Sequence, residues 1–201
     1  MALAQQAKTR HLHETQVDRL LRVARLYSQK AHIWLALTYN AALRLCEALH
    51  LKAYDLDTTT YQLNITPAKK KTPQGIWYQL NRDVGVLLRQ WIMLNELDPN
   101  DWIFPGKAKP CSLKTITCSG GHMSRTSARS LFDRVAKSAD LKVHGRGLHC
   151  LRHSRLTELA MKTKDPEFVR LAGRHETLSM SDVYVTYPDL RERLEAIGSV
   201  L

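Results

Sequence analysis

Arg44, Lys71, His149, Arg152, His175 and Tyr184 are the residues of this 201-residue chain whose types and order suit a single reaction. Arginine presents a planar fork of donors that pairs two oxygens of one phosphate. Imidazole and ammonium groups carry protons, and a phenol with a reference pKa of about 10 can attack phosphorus. Breaking a phosphodiester without metal or water needs a nucleophile, positive charge around the pentacovalent phosphorane, and an acid for the leaving 5′-oxygen. In Leu148-His149-Cys150-Leu151-Arg152-His153 the histidine and arginine stand at i and i+3. A helix there projects both from one face, with His153 beside them and Leu148, Leu151 and Leu159 available to the core.

Arg44 lies in Tyr39-Asn40-Ala41-Ala42-Leu43-Arg44-Leu45-Cys46-Glu47, and Tyr184 closes a segment that opens Leu171-Ala172-Gly173-Arg174-His175. The order and spacing of these segments resembles the catalytic domain of the tyrosine recombinases, or phage-type integrases, from about Leu12 to about Leu194. Each segment alone is weak; their ordered combination is specific. The resemblance implies a site-specific DNA recombinase that cuts and rejoins strands through a covalent 3′-phosphotyrosine. That linkage conserves bond energy, so no ATP, metal or other cofactor is implied. It makes Arg44 and Arg152 the phosphate clamp, His149 and His175 site histidines, and Tyr184, rather than the nearby Tyr187, the nucleophile. A lysine on the hairpin between the second and third strands protonates the leaving oxygen in this family. Lys69, Lys70 and Lys71 all sit in that turn, and counting forward to Leu80 favours Lys71. Lys69 and Lys70, with Arg125, Arg129 and Arg146, are then assigned to the DNA backbone. The family also works as a tetramer on two DNA sites, the C-terminal segment of one protomer docking on its neighbour. Here residues 188–201 would form that segment.

The chain departs from the pattern at several places. Ala42 stands where a glycine usually precedes Leu-Arg, Cys46 replaces a common serine, and Arg174 separates Gly173 from His175. Family members usually carry an N-terminal helical DNA-binding domain, whereas only a short arm precedes Glu14. The chain therefore reads as an isolated catalytic fragment or a minimal member.

Plainer readings stand beside each assignment. Arg44 could simply pair with Glu47 in the core, and His175 could close a helix. His149 and His153 have the i, i+4 spacing of a zinc hydrolase site, but Cys150 occupies the place of the required glutamate and no well-spaced third ligand follows. Cys111, Cys118 and His122 form no recognisable zinc pattern either. A type IB topoisomerase would use similar chemistry on one duplex, and a DNA-binding regulator could keep the fold without catalysis.

Composition agrees with a polyanionic partner. Thirty Lys and Arg against 19 Asp and Glu give +11, and cations placed on phosphates release condensed counterions. No apolar run reaches the ~18 residues that span a bilayer, and no signal-peptide core is present, so a cytoplasmic protein working on double-stranded DNA, with no membrane partner, is expected. The four cysteines show no paired spacing and are expected as thiols.

The elements that must hold the site are legible from periodicity. A loose arm covers 1–12 and a domain 13–201. Val17, Leu20, Leu21, Ala24 and Tyr27 mark a first helix from Glu14. Ala31 to Leu51 is a buried helical stretch broken near Asn40. Tyr54–Asp57, Tyr61–Thr66 and Ile76–Leu80 read as three strands, with a turn at 67–75 between the last two. Helices follow at Asp83–Asn95, Ser124–Ala139, around His149, and after the Asp165-Pro166 start, where Gly173 suits the stop. Pro188 opens a last amphipathic helix. The expected fold is mainly α with a small three-stranded antiparallel β-sheet, as the resemblance implies.

Overall fold

Helix α1 (Glu14–Tyr27) buries Val17, Leu20 and Ala24, the stripe expected of an amphipathic helix. Its start is held by Gln16, whose Oε1 accepts the His13 N–H at 3.0 Å. These positions belong to a computed structural model that describes residues 11–67, 74–106, 121–141 and 147–177. Ser28 then caps α2 (Gln29–Asn40), its Oγ accepting the Ala31 N–H at 3.1 Å. Seven residues of α2 are buried, Ala31 and then Ile33 to Thr38 without a break. A helix apolar on every side belongs in the middle of a core. Accordingly, α2 contacts α1, the short helix α3 (Leu45–Leu49), α4 (Arg82–Leu94) and α5 (Arg125–Ser138).

The chain divides into two compact units, Met1–Ser154 and Arg155–Leu201. The core built around α2 lies in the first. It takes in Trp34, Leu63, Ile65, Leu88, Phe104, Phe132 and Leu151, all fully buried or nearly so. The end of the arm expected over 1–12 is tied down here: the Leu12 N–H donates to Ser154 Oγ at 2.7 Å. In the second unit, Leu156 and Ala160 of α6 (His149–Thr163) and Val169 and Ala172 of α7 (Pro166–Gly173) are buried. Asp165 caps α7 through Oδ1, which accepts the Glu167 and Phe168 N–H groups, with Pro166 next in line as expected.

The sheet differs from the three strands expected. Among the described residues it has two, β1 (Gln62–Ile65) and β2 (Ile76–Gln79), antiparallel with Leu63 opposite Tyr78 and Asn64 opposite Trp77. Tyr54–Asp57 is not a strand. Ala53–Asp55 forms a 3₁₀ turn, and pairing shrinks to a single bridge between Leu56 and Leu63. The cause is Asp55, whose buried carboxylate accepts the Lys52 N–H at 2.9 Å and closes the turn on itself. Leu63 and Ile65 face the core while Gln62 and Trp77 face solvent, so the ribbon is two-faced. Its second strand is tied to the end of α2, where Tyr78 Oη donates to Asn40 O at 2.8 Å and the Asn81 N–H to Asn40 Oδ1 at 3.1 Å.

The helical stretch expected over Ala31–Leu51 is two helices, α2 and α3, parted at 41–44 as the break near Asn40 suggested. The helix expected after Pro188 lies outside the described residues. Among the described residues no helix is long and apolar enough to cross a membrane.

Candidate active site

The first arginine is positioned by the way α2 ends. Ala42 has φ 46°, and around it the Leu43 N–H donates to Thr38 O (2.9 Å) and the Ala42 N–H to Tyr39 O (3.0 Å). These paired bonds are the helix stop that usually places glycine at the left-handed residue. Alanine accepts the same conformation at a cost of about 1 kcal/mol, so the turn where glycine was missing is formed rather than lost. Two residues on, Arg44 opens α3. Its N–H is accepted by Glu47 Oε2 at 2.9 Å, and its Nη1 donates to Glu47 Oε1 at 2.7 Å. The Glu47 side chain is fully buried and that of Arg44 only 12% exposed. The salt-bridge reading of Arg44 is therefore correct as geometry. It is compatible with a phosphate role, because a guanidinium has to be neutralised and fixed before it can be held mostly buried.

Arg152 comes to the same turn from far along the sequence. It sits on α6, is 5% exposed, and donates from Nη1 to Ala42 O at 2.6 Å. His149, one turn earlier on α6, is exposed, and His153 is half-buried. Between them Cys150 is buried, and burial pushes its thiol up to about 12. Leu148 and Leu151 reach the core as expected, while Leu159 is only half-buried and Leu156 and Ala160 are the buried apolar positions further along α6.

His175 belongs to the second unit. The expected stop of α7 at Gly173 falls one residue late: Arg174 is the left-handed residue, with φ 51°. The Arg174 N–H donates to Leu171 O (3.0 Å) and the His175 N–H to Arg170 O (2.9 Å), the same paired bonds that end α2. Gly173 has another use. A Cβ there would lie 2.9 Å from both Cε1 and Nε2 of His175, so the ring occupies space that only glycine leaves. Arg170 adds a bond from Nη1 to His175 O at 3.3 Å while paired with Glu167, and Arg174 donates from Nη1 to Ala172 O at 3.1 Å. The inserted arginine thus supplies the turn that presents His175.

Arg125 and Arg129 are exposed on α5, Arg129 with its Nε 3.8 Å from Asp133 Oδ2. Sequence reasoning missed Arg134 and Lys137, which share an open groove along α5 with Arg129. The i, i+3 spacing of Arg134 and Lys137, with Ser130 and Asp133 leading back to Arg129, was the available signal. Lys69, Lys70, Lys71, Arg146, Tyr184 and Tyr187 lie outside the described residues. Of the expected site, then, Arg152 is brought to the turn preceding Arg44, and His149 stands on the same helix as Arg152. His175 has its own support in the second unit.

Residues 10–190 match the phage integrase family. The chain belongs to that family, whose members include the tyrosine recombinases. It is 23% identical over 190 residues to the tyrosine recombinase XerC of Oceanobacillus iheyensis, a match covering 90% of this chain and 58% of that one. It is 30% identical over 116 residues to the tyrosine recombinase XerH of Helicobacter pylori, covering 57% of this chain and 28% of the relative. The solved structure of XerH bound to its difH substrate in a pre-cleavage complex shares the fold, with a TM-score of 0.74 at 24% identity over 92% of this chain and 53% of that one. The chain thus spans little more than half the length of the first of these relatives.

Proposed function

We propose that this chain is the catalytic part of a site-specific DNA recombinase acting on double-stranded DNA. The observation that carries the reading is the bond from Arg152 Nη1 to Ala42 O at 2.6 Å, which ties a buried arginine to the turn leading into Arg44 in a member of this family. Two fixed guanidinium groups at one turn suit the two non-bridging oxygens of a phosphate and the charge that gathers on them in a phosphorane. The solved XerH complex, a relative of the same fold, holds its difH substrate before cleavage, which supports DNA as the partner.

In this reading Tyr184 Oη attacks phosphorus. The Oη–P bond forms, the P–O5′ bond breaks, and the 3′-phosphate remains on the tyrosine. The tyrosine proton passes to His149, exposed at the start of α6. A lysine ammonium, Lys71 in this assignment, gives its proton to O5′. His175, with its ring set over Gly173, donates to a phosphate oxygen. Lys69, Lys70, Arg125, Arg129 and Arg146 contact the DNA backbone, and four copies act on two DNA sites in the cytoplasm. Rejoining runs the same steps in reverse with the 5′-hydroxyl of a second strand.

The test is a duplex nicked close to the cut, so that the short leaving strand diffuses away and the covalent adduct accumulates. Wild-type protein is expected to form an adduct mapping to Tyr184, and Tyr184→Phe to bind DNA without forming one. An adduct that persists in Tyr184→Phe and disappears in Tyr187→Phe overturns the choice of nucleophile. Exchange of strands between two duplexes, as opposed to relaxation of one, separates a recombinase from a topoisomerase.

A further inference from the structure

The last carbonyl groups of a helix have no partners within it and must find them elsewhere. At the end of α2, Leu37 O, Thr38 O and Tyr39 O accept the Ala41, Leu43 and Ala42 N–H groups of the turn itself, at 3.1, 2.9 and 3.0 Å. Asn40 O is served from outside. Tyr78 Oη reaches it from β2 and donates at 2.8 Å. Ala42 O, two residues on, is also served from outside, by Arg152 Nη1 at 2.6 Å. Beside the phenol a second tie runs from the Asn81 N–H to Asn40 Oδ1 at 3.1 Å, and Asn81 is itself fixed as the cap of α4, its Oδ1 accepting the Asp83 N–H at 2.8 Å. All of these residues belong to the first compact unit. The turn they hold contains Ala42 at φ 46°, a conformation an L side chain adopts only at a cost.

We propose that Tyr78 is a positioning residue for the phosphate clamp: its hydroxyl, bonded to Asn40 O and seconded by the Asn81 tie, holds the turn after α2 in the conformation that leads into Arg44 and offers Ala42 O to Arg152. The inference rests on the reading of Arg44 and Arg152 as the clamp. The two bonds to Glu47 fix the Arg44 guanidinium relative to α3, and the turn sets how α3 leaves α2. Alanine has no preference of its own for the left-handed place, so bonds from outside decide how closely the turn is kept. A catalytic group displaced by as little as about 1 Å can lose roughly 10²-fold in rate, so a small relaxation of this turn is enough to matter. The Tyr78 ring packs partly buried against the core, and its hydroxyl can be removed without emptying that contact.

The experiment compares two nicked duplexes, one with the natural scissile phosphodiester and one with a methylphosphonate in its place, tested as both diastereomers. Methyl replaces a non-bridging oxygen there, so the phosphorane carries one negative charge fewer and asks less of the clamp. Tyr78→Phe is expected to form the covalent adduct about 10- to 100-fold more slowly on the phosphodiester, and at close to the wild-type rate on the methylphosphonate, with DNA affinity unchanged. Asn40→Ala withdraws the neighbouring tie to the Asn81 N–H and should show the same split, which keeps the test decisive should Tyr78→Phe fold poorly. Wild-type cleavage of the phosphodiester by folded Tyr78→Phe, or equal slowing on both substrates, overturns the proposal. Arg152→Ala is the control. If the methylphosphonate relieves Arg152→Ala but not Tyr78→Phe, the positioning role fails and the clamp stands. If Arg152→Ala is slowed equally on both substrates, or on neither, the clamp reading fails and this inference goes with it.

Discussion

Arg152 donates from Nη1 to the carbonyl oxygen of Ala42 at 2.6 Å, a bond between residues 110 positions apart. Ala42 is the left-handed residue that ends α2 and turns the chain toward Arg44. One hydrogen bond thereby makes the placement of Arg152 depend on the same turn that places Arg44. A second turn of the same kind, with Arg174 as its left-handed residue, presents His175. Both use a side-chain-bearing residue where glycine is usual, so both turns are held by their surroundings rather than by the intrinsic freedom of the chain.

Arg152→Lys keeps the charge but not the fork, and a single ammonium cannot serve Ala42 O and two phosphate oxygens in the same plane. Cleavage is expected to fall by about 3 kcal/mol of transition-state stabilisation, while DNA affinity changes little because many other cations meet the backbone. Single-turnover cleavage and a binding titration at fixed salt measure the two effects. Near wild-type cleavage by a folded Arg152→Lys protein would remove the clamp assignment.

Glu47→Ala withdraws the carboxylate that both neutralises Arg44 and accepts its N–H. With Arg44 nearly buried, stability is expected to drop by roughly 3–5 kcal/mol, visible as a lower urea midpoint at unchanged slope. Glu47→Gln keeps an acceptor for the N–H and should lose less. A midpoint unmoved by Glu47→Ala would mean that water reaches this pair freely.

Gly173→Ala introduces a Cβ 2.9 Å from two ring atoms of His175. The ring must move, but alanine is the better helix former by about 1 kcal/mol, so the thermal midpoint should hold or rise. Cleavage is expected to fall on the order of 10²-fold, the usual result of a misplaced catalytic group. Full activity in this variant would show that the ring position over Gly173 is not the working one.

Cys150 should resist alkylation. Burial pushes its thiol up to about 12, so the reactive thiolate is on the order of one part in 10⁴ at pH 8 and increases only toward that value. Cys46, half-exposed on α3, is expected to label with iodoacetamide in the folded protein while Cys150 does not. Peptide mapping before and after denaturation reads this directly. Rapid labelling of Cys150 in native protein would place it in an opening segment of α6.

Much of the frame was legible from neighbours in the sequence. The stripe Val17, Leu20, Ala24, the unbroken apolar run of α2, and the Asp165-Pro166 start of α7 each specify a helix through contacts within one or two turns. The order and spacing of the segments around Arg44, Arg152 and Tyr184 were legible as a resemblance to the tyrosine recombinases, and residues 10–190 match the phage integrase family. What only the structure showed was which partner each side chain takes. Asp55 closed a would-be strand into a 3₁₀ turn through its neighbour Lys52, Arg174 rather than Gly173 took the left-handed place, and Asn64 met Asp55 and Gly75. The bond between Arg152 and Ala42, unlike these, joins segments far apart in the sequence. Periodicity and capping are energies between neighbours and can be read along the chain. A buried carboxylate, or a guanidinium bonded to a carbonyl 110 residues away, depends on which surfaces exclude water, and that exists only once the core around α2 has closed.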